Sequence, residues 1–281
     1  MIGVGLIGGS FSLSLRSAGL ANEIVGIDRD EANLQKALKL GVISNTEHDL
    51  VKAVQNADLV VLAVPVGQMK DVMQTIAPHL SPSTIVTDVG STKQNVVKLA
   101  VQYLSHHLSH FVPAHPIAGA ESSGVEAAKA NLFKDRALIL TPLVETSTDA
   151  IDKLKMAWTK CGARVQLMSA SSHDRIFAAV SHLPHLLAFA LVDDIAKRND
   201  AKDFFHYAGT GFKDFTRIAS SSPEMWRDIA LANRDALIRE LESYQHQLDD
   251  LHRMLSNSNE GELSALFTNA RNARNAWLAK K

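Results

Sequence analysis

Gly3-Val4-Gly5-Leu6-Ile7-Gly8, with an aspartate at Asp28 twenty positions past the last glycine, decides the fold of this chain. Each part of the pattern has a separate physical job. The first glycine permits a tight turn off a strand, the second lets the backbone approach a pyrophosphate, and the third lets a helix pack close to that strand. The helix N-terminus then presents unpaired N–H groups to the phosphates, and the acid takes the ribose hydroxyls. The context fits: residues 10–18 read as a helix closed by Gly19, and residues 23–27 as a second strand delivering Asp28. The expected cofactor-binding set is Gly3, Gly5, Leu6, Ile7, Gly8 and Asp28, with Val64, Pro65 and Ser91 joining it from later strand ends. A carboxylate at position 28 binds a ribose 2′-hydroxyl and repels a 2′-phosphate, which favours NAD over NADP. Arg29 beside it partly offsets that repulsion. Only Met1 and Ile2 precede the first glycine, where a strand normally has about five residues. Either that strand is very short or the natural start lies upstream.

Working outward, the first half alternates apolar runs with helical patterns, the mark of a parallel doubly wound sheet. Residues 30–40 and 49–56 read as helices, 59–64 as a buried strand stopped by Pro65, and 67–79 as a helix stopped near Pro82. A strand at 84–87 and a helix at 92–105 follow. Phe111-Val112 leads into Ala114-His115-Pro116, and strands at 137–141 and 163–168 flank a helix at 148–160. From about Ser171 strand-like runs vanish and helical spacing takes over, so a domain boundary is expected near 169–172, giving domains 1–169 and 170–281. Leu237, Leu241, Tyr244, Leu248, Leu251 and Leu255 step by four and three, a heptad seam with charged flanks. Such a seam is either a core stripe within the chain or a contact with a second subunit. A helical domain this short offers little else to cover it, which favours a homodimer. The fold class is therefore an α/β Rossmann-type doubly wound sheet followed by an all-α domain.

Hydrophobic content of 46% and charged content of 21% suit a globular protein rather than a disordered one. A formal net charge of −1 gives no reason to expect a nucleic-acid or anionic-membrane partner. No apolar run reaches about 18 residues, so no spanning helix is expected. No signal peptide is visible, and the cytoplasm is the default location. The single cysteine, Cys161, excludes an internal disulfide and a multi-cysteine zinc site, and reads as a packed small residue.

Open α/β sheets bind ligands at the carboxyl ends of their strands. Two polar clusters sit there, residues 88–93 and 115–121. His115, set against Pro116, is placed like a general base, and an imidazole with a reference pKa of about 6.5 suits proton removal from an alcohol near neutral pH. The helical half adds Ser181-His182-Leu183-Pro184-His185, the stretch from Gly211 to Arg217, and Trp226. Pro184 kinks or starts a helix. Arg217 is either a fork for a carboxylate or one half of a surface ion pair. His182 and His185 lie three apart, but no third ligand accompanies them, so no metal is expected. His106, His107 and His110 read as a solvated helix end.

The glycine fingerprint, Thr87-Asp88-Val89-Gly90-Ser91-Thr92-Lys93, His115-Pro116-Ile117-Ala118-Gly119, Ser181-His182-Leu183-Pro184-His185 and Gly211-Phe212-Lys213-Asp214-Phe215-Thr216-Arg217 occur in that order. Together, and over essentially the whole chain, they closely resemble the prephenate/arogenate (cyclohexadienyl) dehydrogenase family of tyrosine biosynthesis. The resemblance implies a Rossmann domain followed by an all-helical dimerisation domain. It implies an NAD-dependent oxidative decarboxylation of prephenate, arogenate or both. By motif, His115 resembles the catalytic histidine at the C4 hydroxyl, and Ser91 the serine that contacts both. Arg217 looks like the arginine that binds a substrate carboxylate, and His182 and His185 like histidines of the substrate pocket. Glu121 matches an acid that pairs with the arginine, and Trp226 a pocket aromatic near the dimer interface. Ala120 stands where relatives often have threonine. Two other classes stay open: a β-hydroxyacid-type NAD(P) dehydrogenase, whose helical lysine would have to be Lys213 in a loop-like stretch, and a non-catalytic NAD-sensing protein.

Overall fold

The computed structural model describes residues 1–119 and 124–279. By contact the chain divides into two compact units, Met1–Arg234 and Asp235–Lys281. The first holds the sheet. Strands β1 (Val25–Gly26) and β2 (Asn45–Thr46) pair in parallel, as do β3 (Leu59–Leu62), β4 (Ile85–Asp88) and β5 (Phe111–Val112) in that order. Ile2 bridges in parallel to both Ile27 and Leu62, so the short first strand knits the two sets into one layer. Strand β6 (Ala114–Pro116) then runs antiparallel to β7 (Ala137–Leu140), which pairs in parallel with β8 (Arg164–Leu167).

Continuous β-branched and aliphatic runs make the central strands because both faces are covered. Val60 and Leu62 face a core of Met69, Met73, Ile76, Val96 and Ala100, while Val61, between them, faces Phe11, Leu15, Phe133 and Trp158. That period-two split is the physical content of double winding. On the second face the helix Leu6–Ser17, which begins directly at the glycine turn, stacks Phe11 on Trp158 of helix Thr148–Lys160 with ring centroids 3.8 Å apart. Cys161 is buried beside them, and burial raises its thiol pKa to about 11.

The expected solvated histidine cluster divides on inspection. The segment Ser105–His110 is a 3₁₀ helix in which His106 is exposed but His107 is buried, its Nε2 2.6 Å from the Thr84 carbonyl. One such hydrogen bond pulls an imidazole out of solvent that a run of polar neighbours would leave in it.

The helical part opens with a continuous helix, Ala170–Ala196, capped by Ser169. Residues Ala178–His182 form a π turn, in which the Leu183 N–H donates to the Ala178 carbonyl five residues back. Pro184 two positions into the next segment has no N–H to give, and the wider turn accommodates it. This helix corrects one expectation. A window of 18 residues within it has a mean hydropathy of 1.6, which makes it long and apolar enough, by length and composition, to cross a membrane, although no uninterrupted apolar run does so. Of its ionisable residues, His173, Asp174 and His182 are nevertheless buried in bonded contacts within the chain. Helices Ala201–His206, Thr210–Thr216 and Pro223–Ala232 follow. Lys213 therefore sits on a helix, not in a loop.

In the second unit, helix Arg234–Ser256 and helix Glu260–Leu278 are joined through a turn at Ser258 with φ of 49° and tied by Arg253 and Glu262 at 3.1 Å. Of the heptad positions, Leu237 is buried, whereas Leu241, Tyr244, Leu248 and Leu255 are exposed.

Candidate active site

Parallel strands deliver their carboxyl ends to one edge of the sheet. Gly3 follows Ile2 there, Asp28 follows β1, Val64 and Pro65 follow β3, and Ser91 follows β4. Pro113 alone separates β5 from β6, whose second residue is His115. The three fingerprint glycines have distinct reasons. Gly3 has φ of +91°, and a Cβ there would lie 2.5 Å from the Ala63 carbonyl oxygen. A Cβ on Gly8 would lie 2.2 Å from the Gly3 carbonyl oxygen, so the helix could not approach the turn. Gly5 differs: its φ of −83° suits any residue, and a Cβ would meet nothing within 4 Å. It is the N-cap of helix Leu6–Ser17, no side chain caps that helix, and no acid lies in its first turn. The first-turn N–H groups therefore face open space in which a side chain would stand, which fits a pyrophosphate.

Asp28 is engaged from two directions. Its Oδ2 accepts from Val4 N at 2.8 Å and from Asn33 Nδ2 at 3.2 Å, and its Oδ1 accepts from Asp30 N at 3.0 Å. A carboxylate offers about four acceptor directions, so one stays available for a ribose hydroxyl while the others hold the glycine turn. Arg29 does not stand against a 2′-phosphate as its position suggested. Its guanidinium forks onto Glu224 at 2.9 and 3.2 Å.

At the end of β4, Asp88 and Lys93 form a fully buried ion pair that grips the residue before His115 from both sides. Asp88 Oδ1 accepts from Ala114 N at 3.2 Å, and Lys93 Nζ donates to the Ala114 carbonyl at 2.6 Å. Burial lowers the Lys93 pKa, against the pull of Asp88 and Asp174. His115 is thereby held by its backbone. Its ring is held by another histidine: His115 Nδ1 lies 2.8 Å from His173 Nε2, and His173 Nδ1 lies 2.8 Å from Asp174 Oδ1. Asp174 also accepts from the backbone N–H groups of Lys93 at 2.7 Å and Gln94 at 2.8 Å. Phe177 walls both rings, with centroids 5.0 Å from His115 and 4.4 Å from His173. Burial, followed by the charges of His173, Lys93 and His182, holds the His115 pKa well below its usual value, so the imidazole is neutral.

The helices supply the rest. Asn233 Nδ2 donates to the Asp174 carbonyl at 2.9 Å and lies 3.1 Å from His182 Nδ1. Burial pushes His182 down to about 4, with Asp174 pulling upward, His173 and His185 pressing down, and the Ser91 backbone pulling upward. His185 stacks on Trp226 at 3.6 Å and 19°, its Nδ1 2.8 Å from the Ser181 carbonyl. Burial lowers the His185 pKa, the Ser181 carbonyl opposes, and the Arg217 charge adds to the lowering. Arg217 starts the turn Arg217–Ser220. Consecutive contacts thus run from His115 through His173, Asp174 and Asn233 to His182, and from His182 over Trp226 to His185. Trp226 is 8% exposed and packs in the chain's own core. Glu121 and Ala120 lie outside the described residues. Among the described residues no three His, Cys, Asp or Glu side chains gather as metal ligands.

His173, Asp174 and Asn233 were absent from the sequence reading. A signal existed: His173 and Asp174 precede Phe177 and Ala178 by four, which puts two polar groups on the apolar stripe of an amphipathic helix.

A glycine-turn cradle for a dinucleotide, on the same sheet edge as a half-buried neutral imidazole with aromatic neighbours, defines a dinucleotide-dependent oxidoreductase. Residues 11–167 match the family described as prephenate dehydrogenase, nucleotide-binding domain, and residues 169–269 match prephenate dehydrogenase, dimerization domain. The chain belongs to the prephenate dehydrogenase family. It is 36% identical over 276 residues to a prephenate dehydrogenase of Bacillus subtilis, covering 98% of this chain and 74% of that protein. It is 35% identical to a cyclohexadienyl dehydrogenase of Zymomonas mobilis, covering 98% of this chain and 94% of that one. Its fold superposes with a TM-score of 0.90 on prephenate dehydrogenase from A. aeolicus in complex with hydroxyphenyl propionate and NAD+, at 37% identity, over 97% of this chain and 95% of that one.

Proposed function

We propose that this protein catalyses the NAD-dependent oxidative decarboxylation of prephenate, arogenate or both, yielding 4-hydroxyphenylpyruvate or tyrosine. The observation that carries the reading is the neutral imidazole of His115, its ring held by His173 and the preceding backbone by Asp88 and Lys93, on the same sheet edge as the glycine turn. NAD, when bound, accepts the hydride from C4 of the ring. Gly3, Gly5, Leu6, Ile7 and Gly8 would hold its pyrophosphate, Asp28 its ribose, and Val64, Pro65 and Ser91 the edge beside its nicotinamide. His115 takes the C4 hydroxyl proton as the hydride leaves, so positive charge does not build on carbon. Ser91 orients the hydroxyl. Loss of the ring carboxylate as carbon dioxide then leaves an aromatic ring.

Arg217 pairs with one substrate carboxylate, and His182, His185 and Trp226 shape the pocket, holding the ring in near-attack geometry. Glu121 is assigned to Arg217 by motif. Residues 1–169 form the cofactor half of this assignment and 170–281 the substrate and dimerisation half. A homodimer follows from the family's dimerisation domain, and two further features support it. Only 22% of the most apolar window of helix Ala170–Ala196 is buried within one chain, and the heptad positions of Arg234–Ser256 are largely exposed. A cytoplasmic location suits a biosynthetic enzyme of this family.

Initial rates with prephenate and arogenate, each with NAD and NADP, test the substrate and cofactor assignment. In the same assay His115→Asn lowers kcat by about 10²-fold or more, the usual weight of a general base, with modest change in KM. Arg217→Ala raises KM strongly and keeps NAD affinity. Near-normal turnover in the first variant removes His115 from its role, and an unchanged KM in the second moves the carboxylate contact elsewhere.

A further inference from the structure

We propose that His173 and Asp174 are positioning residues that set the tautomer of His115, making its Nε2 the proton acceptor. The inference rests on His115 being the base and concerns what makes it one.

The argument follows the hydrogens. Asp174 accepts two backbone N–H groups, from Lys93 and Gln94, and faces His173 Nδ1. Burial alone would raise its pKa, but the hydrogen bonds from His173, Gln94 and Lys93 outweigh that and hold it below the usual carboxylate value. Asp174 is therefore ionised and has no proton to donate. The hydrogen between it and His173 must sit on Nδ1 of His173. A neutral imidazole carries one hydrogen, so His173 Nε2 is an acceptor. Burial keeps His173 on the neutral side despite the opposing hydrogen bond to Asp174. The 2.8 Å contact from His173 Nε2 to His115 Nδ1 then requires the hydrogen on His115 Nδ1. What remains on His115 is a bare Nε2 lone pair, because its one hydrogen is spent on the contact to His173.

The alternative assignment fails chemically. A hydrogen on His173 Nε2 would donate to His115 Nδ1, force the His115 hydrogen onto Nε2, and leave no base. The relay therefore decides which of two equally stable-looking rings is competent. Every charged or titratable group around His115 enters the balance: His173, Asp174 and His182 from helix Ala170–Ala196, and Lys93 and Asp88 from the end of β4. In the reaction one O–H bond of the substrate breaks and one N–H bond forms at His115 Nε2. The imidazolium keeps its Nδ1 hydrogen on His173, and the Asp174 carboxylate, one ring further away, balances the charge. No proton needs to travel to Asp174.

The test is nitrogen NMR on the full-length protein with ¹⁵N-labelled histidine, without substrate, alongside steady-state kinetics. Wild type gives a protonated Nδ1 and a bare Nε2 at His115. His173→Phe keeps the ring volume against Phe177 but removes the acceptor. His115 then loses the Nδ1–H form, and kcat falls about 10²-fold with the KM for substrate and the Kd for NAD retained. His173→Gln restores an acceptor for Nδ1–H and a donor for Asp174, so it regains the Nδ1–H signal and exceeds His173→Phe in kcat at least several-fold. A wild-type His115 protonated on Nε2 overturns the proposal even if neither variant folds. So does a His173→Phe protein with full turnover, or a His173→Gln protein no better than His173→Phe. Because the wild-type reading needs no substrate, an Nδ1–H signal in a protein inactive on prephenate and arogenate would fault the proposed function and leave the relay standing.

Discussion

Replacing Lys93 with methionine isolates the consequence of the buried ion pair beneath the site. Both Lys93 and Asp88 are 0% exposed. The substitution keeps an unbranched side chain of similar length and removes the ammonium. Asp88 retains only the Gly90 and Ala114 N–H groups as donors, and the Ala114 carbonyl loses its bond from Nζ. Stripping one partner from a buried pair leaves an uncompensated charge and costs roughly 3–5 kcal/mol. At about 2–4 °C per kcal/mol, that is a drop in Tm of roughly 6–20 °C. Differential scanning fluorimetry and urea unfolding of the full chain would measure it. The double variant Asp88→Asn/Lys93→Met removes both charges and should recover part of the loss; the amide keeps only one acceptor oxygen, where Asp88 accepts from both the Gly90 and the Ala114 N–H. A Lys93→Met protein within about 1 kcal/mol of wild type would refute the reasoning, since a desolvated carboxylate cannot be left that cheaply.

Three other outcomes follow from the same structure. His182 has a folded pKa of about 4 against an unfolded value near 6.5, so the unfolded chain binds the extra proton between those values; stability is complete above about pH 6.5 and falls by roughly 3 kcal/mol toward pH 4, and an unfolding midpoint that stays flat down to pH 5 contradicts this. Gly5→Val should leave Tm within a few degrees and weaken NAD binding at least tenfold by calorimetry, whereas Gly8→Ala should destabilise the fold, because only the second Cβ collides with backbone, at 2.2 Å; equal effects on Tm would sink the distinction. Glu224→Gln releases Arg29 from its 2.9 Å contact and should raise kcat/KM with NADP several-fold relative to NAD, and an unchanged ratio would show that the guanidinium does not reach the 2′-position.

Much of this architecture is written in local patterns. The glycine turn, the strand runs 59–64 and 84–87 and the helical texture after about 171 each satisfy one periodicity with no competing pull, and the structure keeps them, with the strands at 59–62 and 85–88. The candidate base His115 is legible because a proline-locked strand end is a local feature. What the sequence hides is non-local. Lys93 reads only as a member of the polar cluster 88–93 until Asp88 and the Ala114 carbonyl, twenty-one residues on, enclose its ammonium. His107 looks exposed until the Thr84 carbonyl captures it. His173 and Asp174 come to the site from a helix eighty residues beyond the loop they brace. Arg29 reads as a charge that partly offsets Asp28 until Glu224, 195 residues away, claims it. In each case the deciding partner is distant along the chain, and no window of local pattern contains it.

The wide turn at Ala178–His182 has a consequence for anyone who draws this helix as a wheel. Successive α-helical residues advance by about 100°, and a turn that absorbs one more residue puts everything after it out of phase with everything before by that amount. Residues 170–177 and 183–196 therefore belong on two separate projections, and a face inferred from one does not carry over to the other. Deleting a single residue from the turn would bring the halves back into step and swing His185 away from Trp226, altering the pocket while leaving every side chain in it chemically intact.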